Sequence, residues 1–364
     1  MHKINYLIII FFFLCFAFCS AFAVGNIRVI DDVASEPVAG ASVFNHKGAI
    51  IGFTDDAGCF NNIAPDNYPL TIRCLGYVPA QCAQNQKEVR MVSSAYSLNE
   101  VVVTPVNRPV LRVVCYIREY ASMTDNSKSL VFYNEHMGDF FLPVGKKAKG
   151  FKKNPQPRFL TSDLYMQISN KDGEDSIFKP KQRIDDFTWE EFVEYPSNTI
   201  TDTISSKYKL NSDTIVGKYG IKHIIRRPES AFYSITTDEL ADHKNHTWSP
   251  WYYKMLGLTV DVTEYKHSWL YQSQGSNSYK PTDVVVGTIN LGCLAKGKLF
   301  KKIFKTDGNF TMNSFYEIYP VEFEYLTNEE ARELYDNPPV EPMNISPNAQ
   351  PLDRSLQRII NSCK

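Results

Sequence analysis

Between Asn26 and Thr104 the chain repeats one device: a few apolar side chains on alternate positions, followed by a turn. Pro37-Val38-Ala39-Gly40-Ala41-Ser42-Val43 ends in an Ala-Ser-Val alternation at the strand period, and Leu70, Ile72 and Cys74 again place every second residue on one face. Asp55-Asp56-Ala57-Gly58 supplies a turn between such runs, with Gly58 free to take a positive φ and Cys59-Phe60 starting the next strand. Short alternating runs separated by turns predict a small antiparallel sandwich.

Thr54-Asp55-Asp56-Ala57-Gly58-Cys59-Phe60, Leu75-Gly76-Tyr77 and Leu98-Asn99-Glu100-Val101-Val102-Val103-Thr104 sharpen this. With them the run resembles the carboxypeptidase-like regulatory domain, a transthyretin-like β-sandwich common at the mature N-terminus of outer-membrane TonB-dependent receptors and other envelope proteins. The resemblance covers about a fifth of the chain. It implies a docking or spacing module and no peptidase activity, because that sandwich is an accessory to the enzyme and carries no zinc ligands. In the family pattern the second position after Phe60 is apolar and inward; here it holds Asn62, with Ile63 one residue late, so a β-bulge is expected there. Further on, Tyr116-Ile117-Arg118-Glu119, Phe132-Tyr133-Asn134-Glu135 and Asp139-Phe140-Phe141 are similar to the segment after this sandwich in a group of secreted envelope proteins, some of which end in a membrane barrel. Too little sequence follows Tyr325 for such a barrel.

The first 23 residues predict the compartment. Lys3 gives a positive start, Leu7 to Phe18 is uninterruptedly apolar, and Ala21-Phe22-Ala23 fits a cleavage site, so a secretory signal cut before Val24 is expected. Cys19 follows Phe18 rather than a small residue, which argues against a lipid anchor. No second hydrophobic span follows. The formal charge is −1, and Lys3 is the one formally charged side chain that removal of the leader takes away, so no electrostatic case for nucleic acid exists. Cys59, Cys74, Cys82, Cys115, Cys293 and Cys363 would enter an oxidising compartment; spacing chooses none of their pairings, and Cys74 reads equally as a small buried thiol.

The expected organisation is a signal peptide at 1–23, the sandwich at 24–92, a linker at 93–109 with prolines at 105 and 109, a β-rich domain at 110–335, a flexible proline-rich connector at 336–351 and a helix at 352–364. Within the β domain an extended or helical lead-in from Val113 precedes strands at Ser129–Phe141, Leu160–Ser169, Thr199–Leu210, Thr214–Ile225, Leu258–Gln272, Val284–Leu291, Lys298–Lys305 and Phe310–Tyr325. Asp307-Gly308 reads as a hairpin turn. Helices are expected at Thr237–Lys244 and from Thr327, where Glu330 completes a capping box. The fold class is therefore mainly β: a seven-strand-type Ig or transthyretin-like sandwich plus a larger antiparallel β (α+β) domain, for which a half-barrel is one arrangement.

Chemistry-bearing motifs are few. Gly292-Cys293-Leu294-Ala295-Lys296-Gly297-Lys298 approaches a phosphate-binding loop, but Leu299 stands where a magnesium-holding hydroxyl is required. Glu264 and His267 lie three apart in a strand pattern and so on opposite faces, while His243 and His246 lack a third ligand. Asp185-Asp186 and Glu190-Glu191 read as a hydrated acidic surface. No catalytic residue, cofactor or metal site is expected. Two groups are candidate contacts with a ligand or partner: Lys146, Lys147, Lys149, Lys152 and Lys153, suited to phosphorylated headgroups or an acidic partner, and Trp248, Trp251, Tyr252 and Tyr253, suited to stacking on sugars or to an interface. Asp175-Ser176-Ile177, Asp202-Thr203-Ile204 and Asp213-Thr214-Ile215 resemble the acceptor of a bacterial periplasmic O-glycosylation system at Ser176, Thr203 and Thr214.

The function expected from the sequence is a non-catalytic binding or scaffolding role in a Gram-negative-type cell envelope, periplasmic or outer-membrane-associated, with an envelope protein, glycan or lipid as partner. Two alternatives are a periplasmic lipid or lipoprotein carrier built on a half-open barrel, which needs an apolar concave face, and a hydrolase whose site is assembled from distant residues.

Overall fold

The computed structural model describes residues 25–97, 107–125, 128–144, 158–170, 175–179, 214–217, 220–226, 232–238, 258–272, 280–298 and 309–363, with the single positions Ala148, Gly150, Phe151, Leu240 and Met255. It is mainly β, and its strands form three sheets.

The sandwich is made of β1 (Gly25–Asp31), β2 (Ser42–Phe44), β3 (Ile50–Phe53), β4 (Cys59–Ile63), β5 (Leu70–Arg73), β6 (Ala80–Cys82) and β7 (Glu88–Met91). One sheet has the order β4-β1-β7 and the other β3-β2-β5-β6. All neighbours are antiparallel except β1 and β7. Ile27, Val29, Val43, Leu70, Ile72, Val89 and Met91 fill the space between the sheets, so the alternation seen in the sequence does mark the inward face. Gly58 takes the expected positive φ, 71°, and a Cβ there would lie 2.4 Å from the carbonyl oxygen of Val29. The expected bulge is present. Gly25 pairs with Ile63 and Ile27 with Phe60, so β4 spends one residue more than β1, and Asn62 absorbs it at φ 62°. Asn62→Val is therefore expected to cost about 1–2 kcal/mol, because a β-branched residue is poorly suited to a left-handed φ. Asn62→Gly should leave the urea midpoint close to wild type.

A second sheet of ten strands has the order β11-β10-β9-β8-β17-β16-β15-β14-β13-β12 and is antiparallel throughout. The strands are β8 (Val110–Thr124), β9 (Lys128–Pro143), β10 (Arg158–Asn170), β11 (Asp175–Phe178), β12 (Thr214–Gly217), β13 (Gly220–Arg226), β14 (Phe232–Asp238), β15 (Leu258–Gln272), β16 (Val284–Gly297) and β17 (Asn309–Leu326). Among the described residues the sheet does not close into a barrel, and β11 and β12 are its edges. Among the described residues, no helix is long and apolar enough to cross a membrane. Two helices follow β17. The first, α1 (Asn328–Asp336), has the expected capping box, with the Glu330 amide donating to the Thr327 hydroxyl and the Thr327 amide to the Glu330 carboxylate. The second, α2 (Arg354–Asn361), is capped by Asp353.

Several expectations are corrected. The lead-in before Ser129, read as extended or helical, is extended: it is β8, fourth in the order of ten strands. Thr237 and Asp238 belong to β14 and not to a helix, and the rest of Thr237–Lys244 lies outside the described residues apart from Leu240. Thr214–Ile225 is a hairpin of two strands. Lys298 is helical in backbone instead of opening a strand, while β16 itself runs on to Gly297 and pairs directly with β17. Residues 299–308 and 199–210 lie outside the described residues. The proline-rich stretch expected to be a free connector is pinned along its length, as described below.

Candidate functional site

Alternation divides the ten-stranded sheet into two unlike faces. On β8, Leu111, Val113, Cys115, Ile117, Ala121 and Met123 point one way and Arg112, Tyr116, Arg118, Tyr120 and Ser122 the other. The even-numbered face of β8 receives the sandwich. Register places Phe315, Tyr120, Tyr133 and Tyr165 in one row across β17, β8, β9 and β10, and Glu317, Arg118, Glu135 and Asp163 in the next. Phe44 of the sandwich stands edge-on to Tyr120 and Phe315, with centroids 5.6 and 6.2 Å apart. The backbone of Ile50, at the sandwich edge, is satisfied by side chains of this face. Its amide donates to the Ser122 hydroxyl (3.1 Å), and its carbonyl accepts from Ser122 (2.9 Å) and Asn313 (3.0 Å). Asn290 donates to the carbonyl of Gly40 at 2.6 Å.

At the centre of this interface lies a buried charge cluster. Arg73 at the end of β5 is 1% exposed and donates to one carboxylate oxygen of Glu317 through Nε (3.1 Å) and Nη2 (2.7 Å). Tyr120 donates to the other oxygen at 2.8 Å, and Arg118 lies 3.8 Å from it. Arg118 in turn donates to the Tyr116 hydroxyl (3.0 Å), and Tyr116 and Tyr133 both donate to Glu135 Oε1 (2.7 and 2.6 Å). Burial alone would lower the pKa of the Arg73 guanidinium, but Glu317 more than offsets this and the net shift is upward. Burial likewise pushes the hydroxyls of Tyr120 and Tyr133 well up, keeping them protonated donors. The guanidinium of Arg73 lies 5.2 Å from the centroid of the Tyr120 ring, a cation–π geometry.

Residues 338–353 complete the interface. Arg73 donates to the carbonyl of Pro351 (2.9 Å) and Arg118 to that of Gln350, while the Gln350 amide donates to the Tyr319 hydroxyl (3.2 Å). Asn348 makes paired hydrogen bonds with the backbone of Ser97, and Gln350 donates to Ser94. A second cluster holds the segment's beginning. Asp139, fully buried, accepts from Arg112 (2.8 Å) and from both nitrogens of one Arg158 fork (2.8 and 2.7 Å), and Arg112 reaches Glu341 at 3.0 Å.

The opposite face is apolar. Phe140 of β9 and Trp269 of β15, with Val113, Ile318 and Val284 between them, line a single narrow cleft with room for little more than a water molecule. Four strand spacings separate β9 from β15, about 19 Å in a flat sheet, so the cleft is lined from five neighbouring strands. Trp269 faces Gly287 across β15 and β16, and its ring takes the space a side chain at 287 would need.

The sequence candidates fare unevenly. Trp248, Trp251, Tyr252, Tyr253, Lys146, Lys147, Lys149, Lys152, Lys153 and Thr203 lie outside the described residues, as do His243, His246, Asp185, Asp186, Glu190 and Glu191. Ser176 is exposed on the edge strand β11; Thr214 lies on the opposite edge strand, β12. Glu264 and His267 do point to opposite sides of β15: Glu264 lies 3.3 Å from Lys266, and His267 is fully buried beside Tyr265. Gly292 to Lys296 are mid-strand residues paired to β15 on one side and β17 on the other, so their amides belong to ladders and form no phosphate cradle. Cys59, Cys82, Cys115, Cys293 and Cys363 are free thiols, with Cys115 and Cys293 buried on the apolar face, and Cys74 packs against the sandwich core. Burial raises the thiol of Cys293 to about 12.

Arg73, Arg112, Arg118, Asp139 and Glu317 were not singled out from the sequence. The available sign was charge on alternate positions of otherwise apolar strands, as in Arg112 and Arg118 of β8.

No family model matches the chain, and no curated protein matches it. Among solved structures it is similar to one described as lipid-protein interactions in lipovitellin, with a TM-score of 0.31 and 10% identity over 60% of this chain and 25% of that one. The chain thus spans a quarter of that protein, and a likeness this slight carries no argument.

Proposed function

We propose that the protein is an exported, non-catalytic binding or scaffolding component of a bacterial cell envelope, in which the sandwich is fixed to the large sheet and the two move as one body. The observation that carries this reading is the Arg73–Glu317–Tyr120 cluster. Its charged groups are spent on one another and on the chain's own carbonyls, 1% exposed at Arg73 and 4% at Glu317, which suits a joint rather than an acid and base facing a substrate. Exposed Ser176 on β11 is compatible with an envelope O-glycan at that site.

A second reading, a carrier of acyl chains, is favoured by the apolar lining of the cleft between Phe140 and Trp269. The cleft there is too narrow for an acyl chain unless Phe140 or Trp269 moves.

Native mass spectrometry of the protein recovered from the envelope of an expressing Gram-negative host, after cross-linking in intact cells, separates the two. The expected species begins at Val24, carries no lipid and is cross-linked to an envelope partner. A stoichiometric acyl-lipid adduct would favour the carrier, and an uncross-linked monomer retaining residues 1–23 would overturn the envelope assignment.

A further inference from the structure

The segment after α1 is bound the way a peptide ligand is bound. Residues 338–353 form neither helix nor ladder, and much of their hold on the protein is through backbone groups gripped by side chains of the body. Arg73 takes the carbonyl of Pro351, Arg118 that of Gln350, and Thr161 that of Glu341. Side chains add Glu341 on Arg112, Asn348 on the backbone of Ser97, Gln350 on Ser94, Met343 and Ala349 against the cluster around Tyr116 and Tyr319, and the apolar face of α2. Leu356 and Ile359 of that helix sink beside Phe44 and Ile50 of the sandwich and Tyr133 and Phe315 of the sheet. The groove is therefore built by both domains, and its floor is a set of buried arginines aimed at main-chain oxygens. Such a site reads an extended backbone first and sequence second.

The segment also carries the marks of an exchangeable occupant. Pro338, Pro339, Pro342 and Pro351 hold it near an extended shape and Pro347 presets the turn that the Ala349 amide closes on the Ser346 carbonyl, so little ordering entropy is lost when it binds. Its tether is exposed: Tyr335, Asp336, Asn337 and Pro338 are all at the surface, and Val340 is 92% exposed. Contacts that do not depend on the tether can be made equally well by the same segment of another molecule, with effective concentration deciding which one docks.

We propose that this groove is a peptide-binding site whose occupant, residues 338–364, can be supplied in trans by a second copy of the chain, giving an arm-exchanged dimer hinged at Asn337-Pro338-Pro339. Each groove keeps every contact described above, and only the connection at the hinge changes.

The test uses the full chain with a protease site inserted between Asn337 and Pro338, cut after folding. The nicked protein should retain its arm on gel filtration. A fluorescent 338–364 peptide should then exchange into it saturably, with unlabelled peptide competing. The same peptide carrying Leu356→Ala should bind more than about tenfold more weakly, since loss of a buried leucine costs at least about 2 kcal/mol. Uncut tagged and untagged copies, mixed at high concentration, should yield a mixed dimer that separates from monomer. The proposal is overturned if the nicked arm never exchanges with labelled peptide, if the Leu356→Ala peptide competes as well as the native one, or if uncut copies form no mixed dimer.

Discussion

Glu317→Ala should lower stability by about 3–5 kcal/mol, because it strips buried Arg73 of its counter-charge and leaves Arg118 with Glu135 alone. Arg73 is 1% exposed and Arg118 6%, so water cannot take over the role of the carboxylate, and the Tyr120 hydroxyl loses its acceptor at the same time. The pair itself is a different matter. Arg73→Met combined with Glu317→Leu removes both charges, and this double variant should recover much of the loss, with the remainder set by Arg118 and Tyr120. Urea unfolding of the wild type, the single and the double variant reads the difference directly. A single variant within about 1 kcal/mol of wild type would mean that the cluster is solvated and does not fasten the domains.

Gly287→Val should be about as damaging, at about 3–5 kcal/mol, for a reason of shape. A Cβ at 287 would lie 2.2 Å from Cζ3 and 2.3 Å from Cε3 of Trp269, so the indole must leave its seat. That loses contacts comparable to truncating a buried aromatic, beyond the usual cost of overpacking. Gly287→Val with Trp269→Leu should be closer to wild type than Gly287→Val alone, since the smaller side chain vacates the space. If the double variant is instead the sum of its parts, the ring and the glycine do not share that space.

The sandwich was legible because its information is local. Alternation, the Asp55–Gly58 turn and the displaced Ile63 are all visible within a few residues, and the structure contains each, down to the bulge at Asn62. The capping box at Thr327 is local too. The interface was not legible, for the opposite reason. Nothing near Arg73 in sequence announces Glu317, and in the strand pattern Arg73 falls on the positions between Leu70, Ile72 and Cys74, where a solvated residue is expected. β8 stayed open between extended and helical for a related cause: it is buried on both faces, so Val110 to Tyr120 lacks a clean two-residue period. The proline-rich stretch reads as a linker by composition, and only the arginines beneath it, far away in sequence, turn it into a bound segment.

The reach of the Arg73 contacts sets an order in time. Glu317 follows Arg73 by 244 positions and Pro351 by 278, so a chain made or threaded from its N-terminus presents Arg73, Phe44 and Ile50 long before anything exists to cover them. Pairings over such separations form late. The first domain must therefore wait with an apolar and charged flank open, and whatever shields nascent or translocating chains has that flank as its natural target. The joint is completed only by the docking of residues 338–364, which close over two halves laid down more than 240 residues apart.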